Sequence, residues 1–235
     1  MSAVNIIRDD DAIHIFTDAA GYDATGRLRS LSQKVYAIPH LSCAIACRGP
    51  SIMLALAAAH IEERFHTFDA LVGGLVQALR DTAAASVDML SICEIGDAFD
   101  FFLAGWSESR DAAESYIVCS HNAYVRPWEL VPLDRVALSP FDETLAVSLE
   151  SDPPGGKAAE SIPHFGLAIM ERQRGIVAQN AGGGPAMKGV GGFCQWTVIS
   201  RQSVQSSILK YWPDQIGEPI GLEVMALGAR MKGAA

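Results

Sequence analysis

A chain of 235 residues in which 49% of side chains are apolar has enough material for a substantial core. Its formal net charge of −9 excludes the clustered basic surface that a phosphate-backbone partner needs, so nucleic acid is not an expected partner. No stretch approaches the ~18 uninterrupted apolar residues of a membrane helix, and no basic region, apolar run and cleavage site mark an export signal; a cytoplasmic protein without a membrane partner is expected.

The chain starts at once with apolar alternation. Val4 to Ile7 and Ile13 to Thr17 are β-rich runs around the charged turn Arg8-Asp9-Asp10-Asp11, which predicts a hairpin with no flexible leader before it. The polar, glycine-punctuated segment 21–32 leads to two more β runs, "KVYAI" (34–38) and "LSCAIAC" (41–47), broken by Pro39. Two hairpins in succession predict one antiparallel sheet.

Helices follow. "SIMLALAAAHIEERF" (51–65), behind Pro50, is apolar on most sides and reads as a buried helix. "TFDALVGGLVQALRDTAAA" (67–85) keeps the helical period, with Thr67 placed to cap it. Strands are predicted again at 88–95, 98–106 and 115–120, the last two separated by an acidic loop at 107–114. "ESDPPGGKAAES" (150–161) reads as a surface loop, because the ~75 residues after it hold too little apolar material for a second core. One more helix is expected at 162–180, then a glycine-rich flexible connection (181–192) and a closing hairpin from 193–200 and 203–212. The expected architecture is therefore α+β, a single domain over 1–235 with its core at about 2–212 and a tail at 213–235.

Cys43, Cys47, Cys93, Cys119 and Cys194 are scattered, odd in number and set mostly in apolar runs, as buried thiols in a reducing compartment would be. Cys43 and Cys47 lack a second Cys/His pair at ligand spacing, so no metal and no other cofactor is expected. The six histidines accompany no G-x-S-x-G elbow, and "GGGPAMKGVGG" lacks the Walker spacing and follows a helix, not a strand.

Three residues carry a resemblance. A small hydroxyl residue, Ser2, starts the first hairpin; Asp18 ends its second strand in "FTDAAG"; Lys34 opens the next strand in "QKVYAIPHLSCAIACRGP". Alone, Asp18 is an ion-paired strand-end carboxylate and Lys34 an edge-strand charge. Together they resemble the proteasome β-subunit and its bacterial relatives among the N-terminal nucleophile (Ntn) hydrolases, in which the mature first residue, usually threonine, is the nucleophile. Asp18 lies 16 positions after Ser2 and Lys34 lies 32 after it, intervals that match that family's without a gap. The element order resembles the family's four-layer αββα sandwich of two antiparallel sheets between helices.

The resemblance implies an N-terminal serine amidohydrolase or peptidase that forms an acyl-ester on Ser2, with the α-amine of Ser2 as base. Lys34 would favour the neutral amine and stabilise the alkoxide, and Asp18 would orient the lysine. Gly49, one residue past the ungapped position at Arg48, would donate a backbone N–H to the oxyanion. The substrate would be a peptide or small amide, and the assembly a homo-oligomer. All of this requires removal of Met1, since an amide nitrogen at Ser2 cannot act as a base. The alternative is a catalytically silent subunit with an assembly or partner-binding role.

Overall fold

A computed structural model describes residues 2–93, 97–151, 161–179 and 186–221. Strands β1 (Val4–Arg8) and β2 (Ala12–Thr17) form the first hairpin, with Ile6 opposite Ile15. A short pair, β3 (Ala20–Tyr22) and β4 (Leu28–Leu31), precedes the second hairpin of β5 (Val35–Ile38) and β6 (Cys43–Arg48). Helices α1 (Ser51–Arg64), α2 (Phe68–Ala85) and α3 (Val87–Ser91) lead to β7 (Asp100–Ser107), β8 (Ala112–Cys119), β9 (Val131–Pro132) and β10 (Val136–Ser139). Then come α4 (Glu143–Ser151), α5 (Ile162–Gln173), the pair β11 (Val177–Gln179) and β12 (Ala186–Lys188), and the hairpin β13 (Phe193–Ser200) and β14 (Val204–Tyr211).

The result is mixed α+β, with antiparallel sheets. One sheet runs β10-β1-β2-β13-β14 and the other β5-β6-β7-β8-β9. Period-two alternation explains why strands of both sheets bury both faces. From β1 and β2, Val4, Ile6, Ile13 and Ile15 meet Ala44, Ala46, Phe102 and Ala104 of the other sheet. Their opposite faces give Ala3, Ile7 and Phe16 to a cluster with Met170 of α5. Likewise Cys43, Ile45 and Cys47 of β6 and Phe101 and Leu103 of β7 turn away from that interface, toward Met53, Ile61, Leu71 and Leu75 of α1 and α2.

Two local devices set the helices. Thr67 Oγ1 accepts from the Ala70 N–H at 3.1 Å, capping α2 as its position predicts. Gly166 lets α5 lie directly on β2, since a Cβ there would come within 2.2 Å of Phe16 Cζ.

The expectation of one sheet from the first two hairpins is corrected: they lie in different sheets. After Thr17 the neighbour of β2 is β13, with Phe16 opposite Trp196, whereas β6 pairs with β7. The strand expected over 88–95 is instead helical at Val87–Ser91, where the Leu90 N–H bonds the Ser86 carbonyl at 2.9 Å and buries Leu90; residues 94–96 lie outside the described part. A short apolar run fits either period, and the adjacent helix decided this one. The segment 21–32 contains β3 and β4, the acidic loop 107–114 shrinks to a turn as β7 and β8 extend, and the helix expected to 180 ends at Gln173. Within 181–192, Ala186–Lys188 is a strand, and residues 181–185, like most of 150–161 and the tail beyond 221, lie outside the described residues.

Candidate functional site

Lys34 Nζ donates to Ser2 Oγ at 2.9 Å, to Asp18 Oδ1 at 2.8 Å and to the Ala20 carbonyl at 2.8 Å. Three donors thus meet three acceptors, so the ammonium is fully satisfied although its side chain is only 11% exposed. Asp18 is buried, and its carboxylate also accepts backbone N–H groups from Ala3 (2.9 Å), Ala20 (3.1 Å) and Gly191 (3.2 Å). The hairpin register explains the placement: Thr17 faces Val4, so Asp18, the residue after β2, lies beside the start of β1. Pairing of β2 with β13 brings the Gly191 segment to the same point.

Burial pulls the Lys34 pKa below the ordinary lysine value. The charge and hydrogen bond of Asp18 oppose this pull, and the positive charge of Arg48 adds to it.

The structure therefore brings Ser2, Asp18 and Lys34 together. Among the described residues, no hydrogen bond joins Gly49 to the other three. Gly49 is needed for a backbone reason: its φ is +117° and a Cβ would lie 2.4 Å from the Ala98 carbonyl oxygen. Gly49→Ala is expected to lose about 1–3 kcal/mol of stability through the strained backbone alone. Urea unfolding checks this, and an unchanged midpoint would show that the loop accommodates a side chain.

Arg48 is what sequence reasoning missed. Its Nε donates to the Ser2 carbonyl at 2.8 Å, and its Nη1 donates to Asp100 Oδ2 at 2.9 Å and to Ser139 Oγ. Strand register sets this up, since Arg48 on β6 lies opposite Asp100 on β7. A signal was present: an arginine in "AIACRG" and an aspartate in "AFDFF", each inside an apolar strand, need a partner when buried. Identifying that partner needs the long-range register.

His121 Nε2 lies 2.8 Å from Asp100 Oδ1, but outside hydrogen-bond geometry. With Cys119, these residues place possible ligand atoms within 4.8 Å of one another. Two features oppose a cation there. The Ala123 N–H donates to His121 Nδ1 at 3.2 Å, which engages that ring nitrogen, and the Arg48 guanidinium already neutralises Asp100. Burial, with the Asp100 charge adding to it, pushes the Cys119 thiol up to about 12, so it is neutral near pH 7.

No protein-family model matches the chain, and no curated protein matches it. Solved structures do. Anbu (ancestral beta-subunit) from Yersinia bercovieri superposes with a TM-score of 0.58 at 8% identity, covering 98% of this chain and 94% of that one. The Anbu Gly-1 mutant from Hyphomicrobium sp. strain MC1 gives 0.60 at 8% identity, covering 100% and 98%. The fold is thus similar to that of Anbu proteins. This corrects the resemblance to proteasome β-subunits drawn from the sequence: the two solved structures named above are Anbu structures. The 16-residue interval spans the β1–β2 hairpin and the 32-residue interval also takes in the β3–β4 pair, so both are lengths of ordinary strand pairs and do not by themselves identify a family. Among the described residues no helix is long and apolar enough to cross a membrane.

Proposed function

We propose that the chain, once Met1 is removed, is an N-terminal serine amidohydrolase acting on a peptide or small amide. The observation that supports this is the contact of one buried lysine with both Ser2 Oγ (2.9 Å) and Asp18 (2.8 Å). A serine hydroxyl needs a proton acceptor to attack a carbonyl, and a free α-amine, with an ordinary pKa of about 7.7–8.0, supplies one on the same residue. Lys34, held charged by Asp18, lowers that amine's proton affinity and stabilises the alkoxide. The Ser2 oxygen adds to the amide carbon and the amine leaves with the proton taken from the hydroxyl. Water, deprotonated by the same α-amine, then releases the acid. Gly49 is proposed as an N–H donor to the oxyanion.

The same reading takes the chain as one domain, its two large sheets stacked face to face between helices as four layers, in a cytoplasmic homo-oligomer. The packing of Ile6 and Ile15 against Ala44 and Phe102 supports the stacking.

Intact-mass measurement followed by labelling with a β-lactone probe tests the function. The expected result is a mature chain lacking Met1, labelled in the wild type and unlabelled in Ser2→Ala. Met1 retained in every molecule, or equal labelling of both proteins, refutes it and leaves an assembly role.

A further inference from the structure

A cavity of about 590 Å³ has in its wall Arg48, the residue that holds the Ser2 carbonyl, and its volume is inside the range of ~300–1,000 Å³ typical of small-molecule pockets. Its walls come from both large sheets: Phe102 of β7, Ile117 of β8 and Leu138 of β10, with Leu133 from the β9–β10 connection and Ile176 from the α5–β11 connection. Arg48 and Ser139 also line it, and these two belong to the group of bonds that holds the Ser2 carbonyl. Tyr124, Phe141 and Val177 line it while remaining 65%, 58% and 56% exposed, an apolar surface among the described residues. Asp142, a carboxylate on the wall, has its Oδ1 committed to the Leu145 N–H at 2.7 Å.

The polar group of interest is Arg48. Its Nε and Nη1 are engaged, and Nη2 has no hydrogen-bond partner among the described residues. A buried guanidinium with spare donors on an apolar wall favours a ligand with an oxygen at one end and a hydrocarbon body.

We propose that this cavity receives a bulky aliphatic or aromatic acyl group of the substrate, with Arg48 Nη2 donating to an oxygen of the carboxylate that hydrolysis releases. The proposal rests on the amidohydrolase reading and gives it a substrate class: amides whose acyl part is large and apolar, released as the matching carboxylic acid.

Product-type acids test it without turnover. Wild-type protein is titrated calorimetrically with phenylbutyrate, acetate and phenylbutanol. Phenylbutyrate is expected to bind at least about tenfold more tightly than acetate, because its body leaves water, and more tightly than phenylbutanol, which lacks the carboxylate. Val177→Trp at the exposed rim and Ala178→Phe on the wall are each expected to weaken phenylbutyrate by about tenfold. Equal binding of phenylbutyrate and acetate overturns the pocket, as does unchanged binding in both variants with native circular dichroism. Equal binding of the acid and the alcohol overturns the role of Arg48. Binding without cleavage of any amide by the mature protein refutes the hydrolase and leaves the pocket; cleavage without phenylbutyrate binding does the reverse.

Discussion

Asp18→Asn is expected to lower stability at pH 7 by about 3–5 kcal/mol, because it leaves a buried ammonium without its carboxylate. Lys34 can escape only by releasing its proton, which at pH 7 costs about 5 kcal/mol for a group whose unfolded pKa is near 10.4. In the wild type Asp18 opposes the downward pull of burial on Lys34; in the variant that opposition is gone, and the folded pKa falls further. Between the folded and unfolded pKa values the unfolded chain binds the extra proton, so stability rises with pH in that window. The penalty is complete below the folded pKa and fades toward the unfolded one. The window is wider in Asp18→Asn, so urea midpoints of the two proteins should draw together as the pH rises above 7 toward the unfolded pKa. Turnover of an amide should fall about 10²–10³-fold at pH 7, since Lys34 would lose the carboxylate that orients it and favours its charge beside the Ser2 oxygen. Parallel pH curves for the two proteins would mean that Lys34 does not depend on Asp18 for its charge.

How much of this was legible follows from which contacts are local. The β1–β2 hairpin could be read because a run of charged residues separates two β-rich segments, and its register alone carries Asp18 to the start of β1. The cap at Thr67 and the closing hairpin β13–β14 are equally local. What was not legible depends on partners far along the chain. Nothing in "AIHIFT" says that β2 pairs with β13, so the two hairpins could not be assigned to separate sheets. The same holds for Arg48, whose partners Asp100 and Ser139 lie 52 and 91 residues away. The glycine expected to serve the oxyanion is the immediate neighbour of Arg48, whose side chain touches Ser2 only through that long-range register. Lys34 was legible by position, but the downward shift of its pKa depends on the burial around it.

Arg48→Met separates positioning from charge balance. Removing the guanidinium deletes the 2.8 Å bond to the Ser2 carbonyl and leaves Asp100, which is 4% exposed, without its cation. Breaking a buried pair on one side is expected to cost about 3–5 kcal/mol, most of it the burden of the remaining charge. Replacing both partners removes that burden, so Arg48→Met/Asp100→Leu should recover most of the lost stability, a non-additivity that urea unfolding of the full cycle measures directly. Turnover should respond differently. Neither the single nor the double variant can hold the Ser2 carbonyl, so both should be slowed alike, about tenfold or more, even when the double variant is as stable as the wild type. Arg48→Lys retains a charge near Asp100 but not the planar fork that bonds Ser2, Asp100 and Ser139 together, and should lie with the slow variants. Should the double variant regain both stability and turnover, Arg48 serves only to neutralise Asp100; should it regain stability alone, the arginine sets Ser2 in place for the proposed reaction.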